Sequence, residues 1–335
     1  MDLLIDPRFN HRRAAPLALP CCALAIALAL PSGGCSDNFE KQSQITRLRV
    51  LGVQAEPAEL LLTPDGGLPK TTLTALAIEP SGAAITTRMS ICLQQGTLPQ
   101  PDLACPGNAG IDLPDAGPMA ATLDLADPKL QAAAAAFFTA GAADGGSGAD
   151  GGFAALLEQG FPLLYGFELR APAHGNADGG PPPTEGFDVQ RLLGLGTVTL
   201  RTAPSGGASG DSRPNQNPRL RALSANGVEL KADGTSTLKA GVKVTLVPLP
   251  QSDAKEPTST TSAGVESLNF SFYATDGDLD ALRSTDTTAT GQPGISSVDY
   301  TPPAQATLQP VRIWVVVRDG RGGVGWLESR FTVAP

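Results

Sequence analysis

The sequence predicts an all-β protein. Two β-sandwich domains follow a cleaved N-terminal signal, and the first carries a short helical insertion. Three observations support this. Apolar and polar residues alternate with a period of two in many short runs, the pattern of half-buried strands. The chain holds 38 Gly and 30 Pro but only 5% aromatics, so turns closely punctuate those runs. A Gly/Ser-rich stretch at 203–217 (APSGGASGDSRPNQN) then separates two segments, each long enough for its own core.

The N-terminus reads as an address. Arg12 and Arg13 precede an uncharged apolar run, Ala14 to Leu30, and Ser32, Gly33 and Gly34 lead into Cys35. A basic segment, an apolar core and a small-residue cleavage site make an export signal, placed at 1–34. Pro16 and Pro20 interrupt the core, which falls short of the roughly 20 apolar residues of a span. Gly34-Cys35 resembles the end of a bacterial lipoprotein signal, although Ser32 stands where Leu is usual. The resemblance implies lipidation of Cys35, a tether over 35–44 and residence in the cell envelope as an outer-membrane lipoprotein. A plain cleaved signal and a retained anchor are the alternatives.

Cysteine usage fits export. Cys21 and Cys22 leave with the signal and Cys35 carries the lipid, so Cys92 and Cys105 remain as a candidate disulfide. Closing that loop contributes about 3 kcal/mol in the chain-entropy description; two buried free thiols are the alternative. Removing 1–34 takes away three Arg and two Asp, which leaves 21 basic and 31 acidic residues and a net charge of −10. Such a balance disfavours nucleic acid as a partner.

The first domain is placed at 45–202. Met89, Ile91 and Leu93 alternate with polar neighbours, as do Tyr165, Phe167 and Leu169, and then Val198 and Leu200. The helical insertion falls at about 127–160. Asp127 is a suitable N-cap with Pro128 at N1, and a shorter helix over 153–159 ends before Gly160 at C′. Between them, ADGGSGADGG at 143–152 has little to bury.

The second domain is placed at 218–335, with 203–217 as a flexible linker of roughly 20 Å end to end. Val244 and Leu246, then Phe270 and Phe272, continue the alternation. The clearest hairpin comes last. Val311, Ile313, Val315 and Val317 share one face, DGRGG at 319–323 turns the chain, and Leu327, Phe331 and Val333 supply the returning face.

The segments RLRVLGVQAEPAEL (47–60) and TLTALAIEPSG (72–82) resemble the opening strands of Ig-like domains in bacterial envelope lipoproteins. FSFYATDGDL (270–279), VDYTPPA (298–304) and VRIWVVVRDGRGGVGW (311–326) resemble the late strands of bacterial Ig-like and PKD-like domains. The resemblance implies two Ig-like sandwiches and no particular activity. The core Trp and inter-sheet cystine of immunoglobulins are not at their usual spacing, so the second domain would be cystine-free.

No catalytic constellation emerges, and no cofactor is implied. The mature chain has one histidine, His174, in the Gly/Pro-rich loop AHGNADGGPPP, and no G-x-S-x-G elbow. Asp276, Asp278 and Asp280 have the i, i+2, i+4 spacing of calcium ligands, but Ala281 and Thr287 break the EF-hand pattern. They remain a candidate calcium turn, weighed against a solvated acidic loop. Trp314 and Trp326 fall on the face of the last hairpin opposite the Val/Ile face, flanked by Arg312 and Arg330. They are either a ligand surface or a face covered by a neighbour. The expectation is a non-enzymatic structural or protein-interaction module, held at the membrane by its N-terminal lipid and meeting envelope protein partners. A glycan- or calcium-binding adhesion module is the alternative.

Overall fold

The alternation at 311–333 folds as it reads: Val311 lies opposite Phe331 and Arg318 opposite Val324, around the DGRGG turn. The computed structural model describes residues 41–63, 65, 67–92, 110–132, 157, 160–172, 189–202, 214–231, 233–258, 264–286, 294 and 296–335. Among these, no helix is long and apolar enough to cross a membrane. Residues Glu40–Pro335 form one folded unit, whose described residues build four β-sheets.

The described residues of the first half form nine strands: β1 (Arg49–Glu56), β2 (Glu59–Leu62), β3 (Lys70–Ile78), β4 (Thr86–Cys92), β5 (Gly110–Asp112), β6 (Asp115–Gly117), β7 (Ala120–Asp124), β8 (Phe161–Pro172) and β9 (Val189–Thr202). One sheet runs β1-β3-β7-β6, the other β2-β9-β8-β4-β5, with β2 parallel to β9. Leu73, Ala75 and Leu123 of the first meet Leu60, Met89, Ile91 and Val198 of the second in one apolar core. Tyr165 and Phe167 of β8 lie across Gly196 and Gly194 of β9. A Cβ at those glycines would stand 2.3 Å from the Tyr165 hydroxyl and 2.0 Å from the Phe167 ring. Only glycine permits that approach.

The helical insertion contributes to this core. A helix spans 128–132, with Asp127 Oδ1 accepting the Lys129 amide at 2.8 Å as the N-cap. Leu130 and Leu157 are both buried in the core, and Gly160 takes φ 97°. The rest of the insertion, the 143–152 loop and His174 lie outside the described residues.

The described residues of the second half form ten strands: β10 (Leu220–Ala225), β11 (Val228–Glu229), β12 (Ser236–Lys239), β13 (Val244–Pro250), β14 (Asn269–Ala274), β15 (Asp278–Leu279), β16 (Arg283–Thr285), β17 (Val298–Thr301), β18 (Val311–Arg318) and β19 (Val324–Ala334). Its sheets run β11-β10-β13-β17-β15 and β12-β19-β18-β14-β16, with β12 parallel to β19. Apart from β11, the spatial order and direction of the strands repeat the first half, but the chain visits the edges in the opposite order: β5 beside β4 precedes β6 beside β7, whereas β15 beside β17 precedes β16 beside β14. Each half is the A-B-E-D sheet against the A′-G-F-C sheet of an Ig-like sandwich, with one extra edge strand. Phe270, Phe272, Tyr300 and Phe331 fill the second core, the last two edge-to-face at 5.8 Å.

Two boundary expectations need correction. Residues 41–44, expected to be part of a tether, belong to the fold. Gln44 bridges Ala274 in parallel, and Ala274 exchanges 2.9 Å backbone hydrogen bonds with Ser43 and Ile45. Lys41 pairs with Asp278 at 2.7 Å. The flexible linker likewise does not extend to 217: Asn215 is 2% exposed and Asn217 is 9% exposed. Both segments are polar enough to read as solvated, but backbone pairing in one and buried amides in the other fix them.

Candidate functional site

The most densely built feature outside the two cores is the junction between the sandwiches. It starts with a β-bulge: β1 shifts register between Val50 and Gly52, leaving Leu51 as the extra residue. A bulge re-aims a side chain, and Leu51 joins Ile45 and Ile78 against Trp314 and Val316 rather than the first core. Tyr273, Val324 and Trp326 close the same cluster.

Trp314 is 0% exposed. Alternation put both indoles on the outer face of the hairpin, and of the two alternatives the structure gives Trp314 the covered one, with the first sandwich over it, while Trp326 is half-buried at the margin of the cluster. Arg312 lies 4.5 Å over the Trp314 ring and forks onto Glu328 at 2.8 and 3.0 Å. Arg330 adds a 2.6 Å bond to the same carboxylate. Burial raises the pKa of Glu328, but these two guanidinium groups more than offset it and hold the group below its usual range.

A polar network runs beside the apolar cluster. Glu59 and Arg201 of the first half form an ion pair at 2.9 Å, and the Asn215 amide donates to Glu59 at 3.0 Å. Asn215 Nδ2 donates to Asp319 Oδ2 at 3.0 Å, while the amides of Arg321 and Gly323 donate to Oδ1 at 2.8 and 3.0 Å. Gln216 donates its amide to Glu256 at 3.0 Å, and Arg321 reaches Glu266 at 3.1 Å. Carboxylates outnumber cations here, so backbone amides and Asn side chains supply the remaining donors. Burial pushes Asp319 and Glu266 above the ordinary carboxylate range.

Asn217, like Asp319, makes three hydrogen bonds through its side chain. Its Nδ2 donates to Ala55 O at 2.7 Å and Glu56 Oε2 at 2.8 Å, and its Oδ1 accepts the Val324 amide at 3.0 Å. Gln54 Nε2 donates to Val324 O at 2.8 Å. Gly325 lets the chain close in from the other side, since a Cβ there would stand 2.0 Å from Pro218 O. The arrangement is suited to holding two bodies in one orientation. It pairs no nucleophile with a base.

The three aspartates of the candidate calcium turn do not converge. Asp278 pairs with Lys41 at 2.7 Å, Asp280 accepts the Asp299 amide at 2.8 Å, and Asp276 accepts the Gly277 amide at 2.6 Å. Among the described residues, no group of three or more His, Cys, Asp or Glu could hold a metal ion. Spacing suggested a shared ligand set, but each carboxylate is aimed at its own partner. Cys92 ends β4 and is buried; Cys105 and Cys35 lie outside the described residues.

Two clefts open along the junction. One, of about 560 Å³, lies between Ser81 and Arg312. The other, of about 470 Å³, lies between β1 and β9 with Arg318 on its wall. Of the junction's polar residues, sequence pointed to Arg312 and Arg330 beside the tryptophans but not to the Asn215–Asn217–Asp319 network. Asn215 and Asn217 sat in a linker-like stretch, and Asp319 and Arg321 read as turn residues. The legible signal was the pair of Asn residues set between Pro214 and Pro218.

No protein-family model and no curated protein matches the chain. Solved structures that align with it include the N-terminal Ig1-2 module of the Drosophila receptor protein tyrosine phosphatase DLAR, at 6% identity and TM-score 0.21, covering 86% of this chain and 100% of that one. Murine CEACAM1b aligns at 9% identity and TM-score 0.21 with the same coverage. A nucleoside hydrolase-related hypothetical protein from Saccharophagus degradans, associated with carbohydrate metabolism, aligns at 16% identity and TM-score 0.22 over 41% of this chain. The chain spans about a third (34%) of that protein. Likenesses at these TM-scores carry no argument, so the fold rests on the strand order: two Ig-like β-sandwiches with the same spatial order of core strands, joined face to edge through Trp314 and Asn217.

Proposed function

We propose that this chain is an exported envelope protein, anchored to the outer membrane through a lipid on Cys35, that acts as a non-enzymatic structural or protein-interaction module. The observation that carries the reading is the junction. Trp314, Leu51 and Ile45 bury an apolar face, and Asn215, Asn217 and Asp319 staple it, so two sandwiches work as one stiff body. Stiff frames with variable loops suit recognition and assembly. The signal-like stretch ending at Gly34-Cys35 supports the anchor, and an oxidising compartment would join Cys92 to Cys105. No observation favours the glycan or calcium alternative, whose residues are covered or separately engaged.

Membrane fractionation followed by intact mass spectrometry tests the reading. The expected species lacks residues 1–34 and carries acyl chains on Cys35. A cytosolic species that retains Met1 overturns the anchor and the compartment together. Turnover of generic ester, peptide or glycoside substrates by the purified chain would overturn the non-enzymatic assignment.

A further inference from the structure

β9 is a strand whose second edge is largely unpaired among the described residues. On one side it pairs with β8 from Val189 to Leu200. On the other, β2 covers only Thr199–Thr202. Over 189–198 that edge pairs with no strand among the described residues. It borders the cleft of about 470 Å³, whose walls include Leu192, Gly196 and Thr197 of β9, Val53 of β1, and Arg318 and Val324 from the second half. An open edge offers unpaired backbone donors and acceptors to an incoming strand.

The charge at this cleft is unusual for so acidic a chain. Arg318 forms no ion pair with a carboxylate among the described residues. It donates to Leu51 O at 2.9 Å and to Ser271 Oγ at 3.4 Å, which leaves guanidinium donors to spare. The other groups acting on its charge are Tyr273, Tyr165 and Arg283. A half-buried guanidinium without a counter-ion is costly, and an arriving carboxylate relieves that cost.

We infer that the β9 edge receives an extended peptide from a partner protein, added as a strand beside 192–197, with an acidic side chain of that peptide held by Arg318. Main-chain hydrogen bonds supply the affinity in such strand addition, and the side-chain pocket supplies the selectivity. The inference deepens the interaction-module reading and rests on it. The two fail separately: an uncleaved cytosolic chain sinks the anchor and compartment, whereas peptide binding is measured on the purified protein wherever it resides.

The probe is a soluble array of acetylated, amidated hexapeptides of alternating Val and Thr, with one Asp, Glu, Gln or Lys at each position. It is titrated onto the full chain by fluorescence polarisation and followed by amide hydrogen exchange. Acidic members are expected to bind about tenfold or more tightly than their Lys or Gln counterparts. Exchange should slow at 192–197, and N-methylation of alternate peptide amides should abolish binding. Arg318→Gln should erase the acidic preference; where that variant folds poorly, exchange on the unaltered chain decides alone. The inference is overturned if no member binds, if Asp and Lys members bind alike, or if protection falls elsewhere. It is also overturned if N-acetylaspartate amide binds as well as the hexapeptides, because the strand edge then has no role.

Discussion

The two sandwiches share one strand order and fill it differently. The second packs four rings, Phe270, Phe272, Tyr300 and Phe331, between its sheets and closes its last hairpin with a five-residue turn. The first relies on Leu, Ile, Val and Ala, recruits Leu130 and Leu157 from its helical insertion, and lays Tyr165 across a glycine. The contrast teaches that topology is indifferent to how the core volume is supplied, provided each face alternates. It also separates their roles at the junction. The second sandwich contributes the outer face of its β18–β19 hairpin, and the first contributes a bulged edge strand and the segment around Ile45.

The strongest way to break this pairing is Trp314→Ala. Emptying a fully buried indole site costs about 4 kcal/mol, and calorimetry should then show two unfolding transitions where the unaltered chain shows one. Gly325→Ala comes next: its Cβ meets a backbone oxygen, which cannot swing away, so a loss of about 3 kcal/mol is expected in urea unfolding. Asn217→Ala strands the Val324 amide and the Ala55 carbonyl and should cost about 2 kcal/mol. Limited proteolysis between the halves should speed up in that variant while the second sandwich remains intact.

A smaller effect lies in pH. Asp319 and Glu266 titrate above their ordinary range in the folded chain, so their contribution to stability grows as pH falls from neutral toward that range. Glu328 titrates below its own, so its contribution is present above the ordinary glutamate value and is lost as pH falls through the lowered one. Denaturation midpoints between about pH 3 and about pH 7 should therefore flatten in opposite senses for Asp319→Asn and Glu328→Gln. The smallest expectation is none: millimolar calcium should leave the melting temperature unchanged, since Asp276, Asp278 and Asp280 point to separate partners.

Much of the fold was legible in the residues. Alternation at 311–333 fixed the face each side chain would take, and Asp127-Pro128 marked a helix start, because a period of two and an N-cap are local properties. The junction was not legible. Whether Trp314 meets water or Leu51 depends on a bulge in a strand far away in sequence, and nothing near residue 314 records it. Polar stretches misled for a related reason. Asn215 and Asn217 look solvated until the carbonyls and carboxylates that bind them are brought alongside.

By itself, then, the amino-acid order determined alternating strands, their turns and which face of each strand is apolar. Only the tertiary structure decided what covers the outer face of the last hairpin, and that residues 41–44 and 214–217 belong to the folded body. The physical reason is range. Periodicity and capping act within a few residues, whereas burying a tryptophan or satisfying an amide needs a surface that the chain supplies from elsewhere.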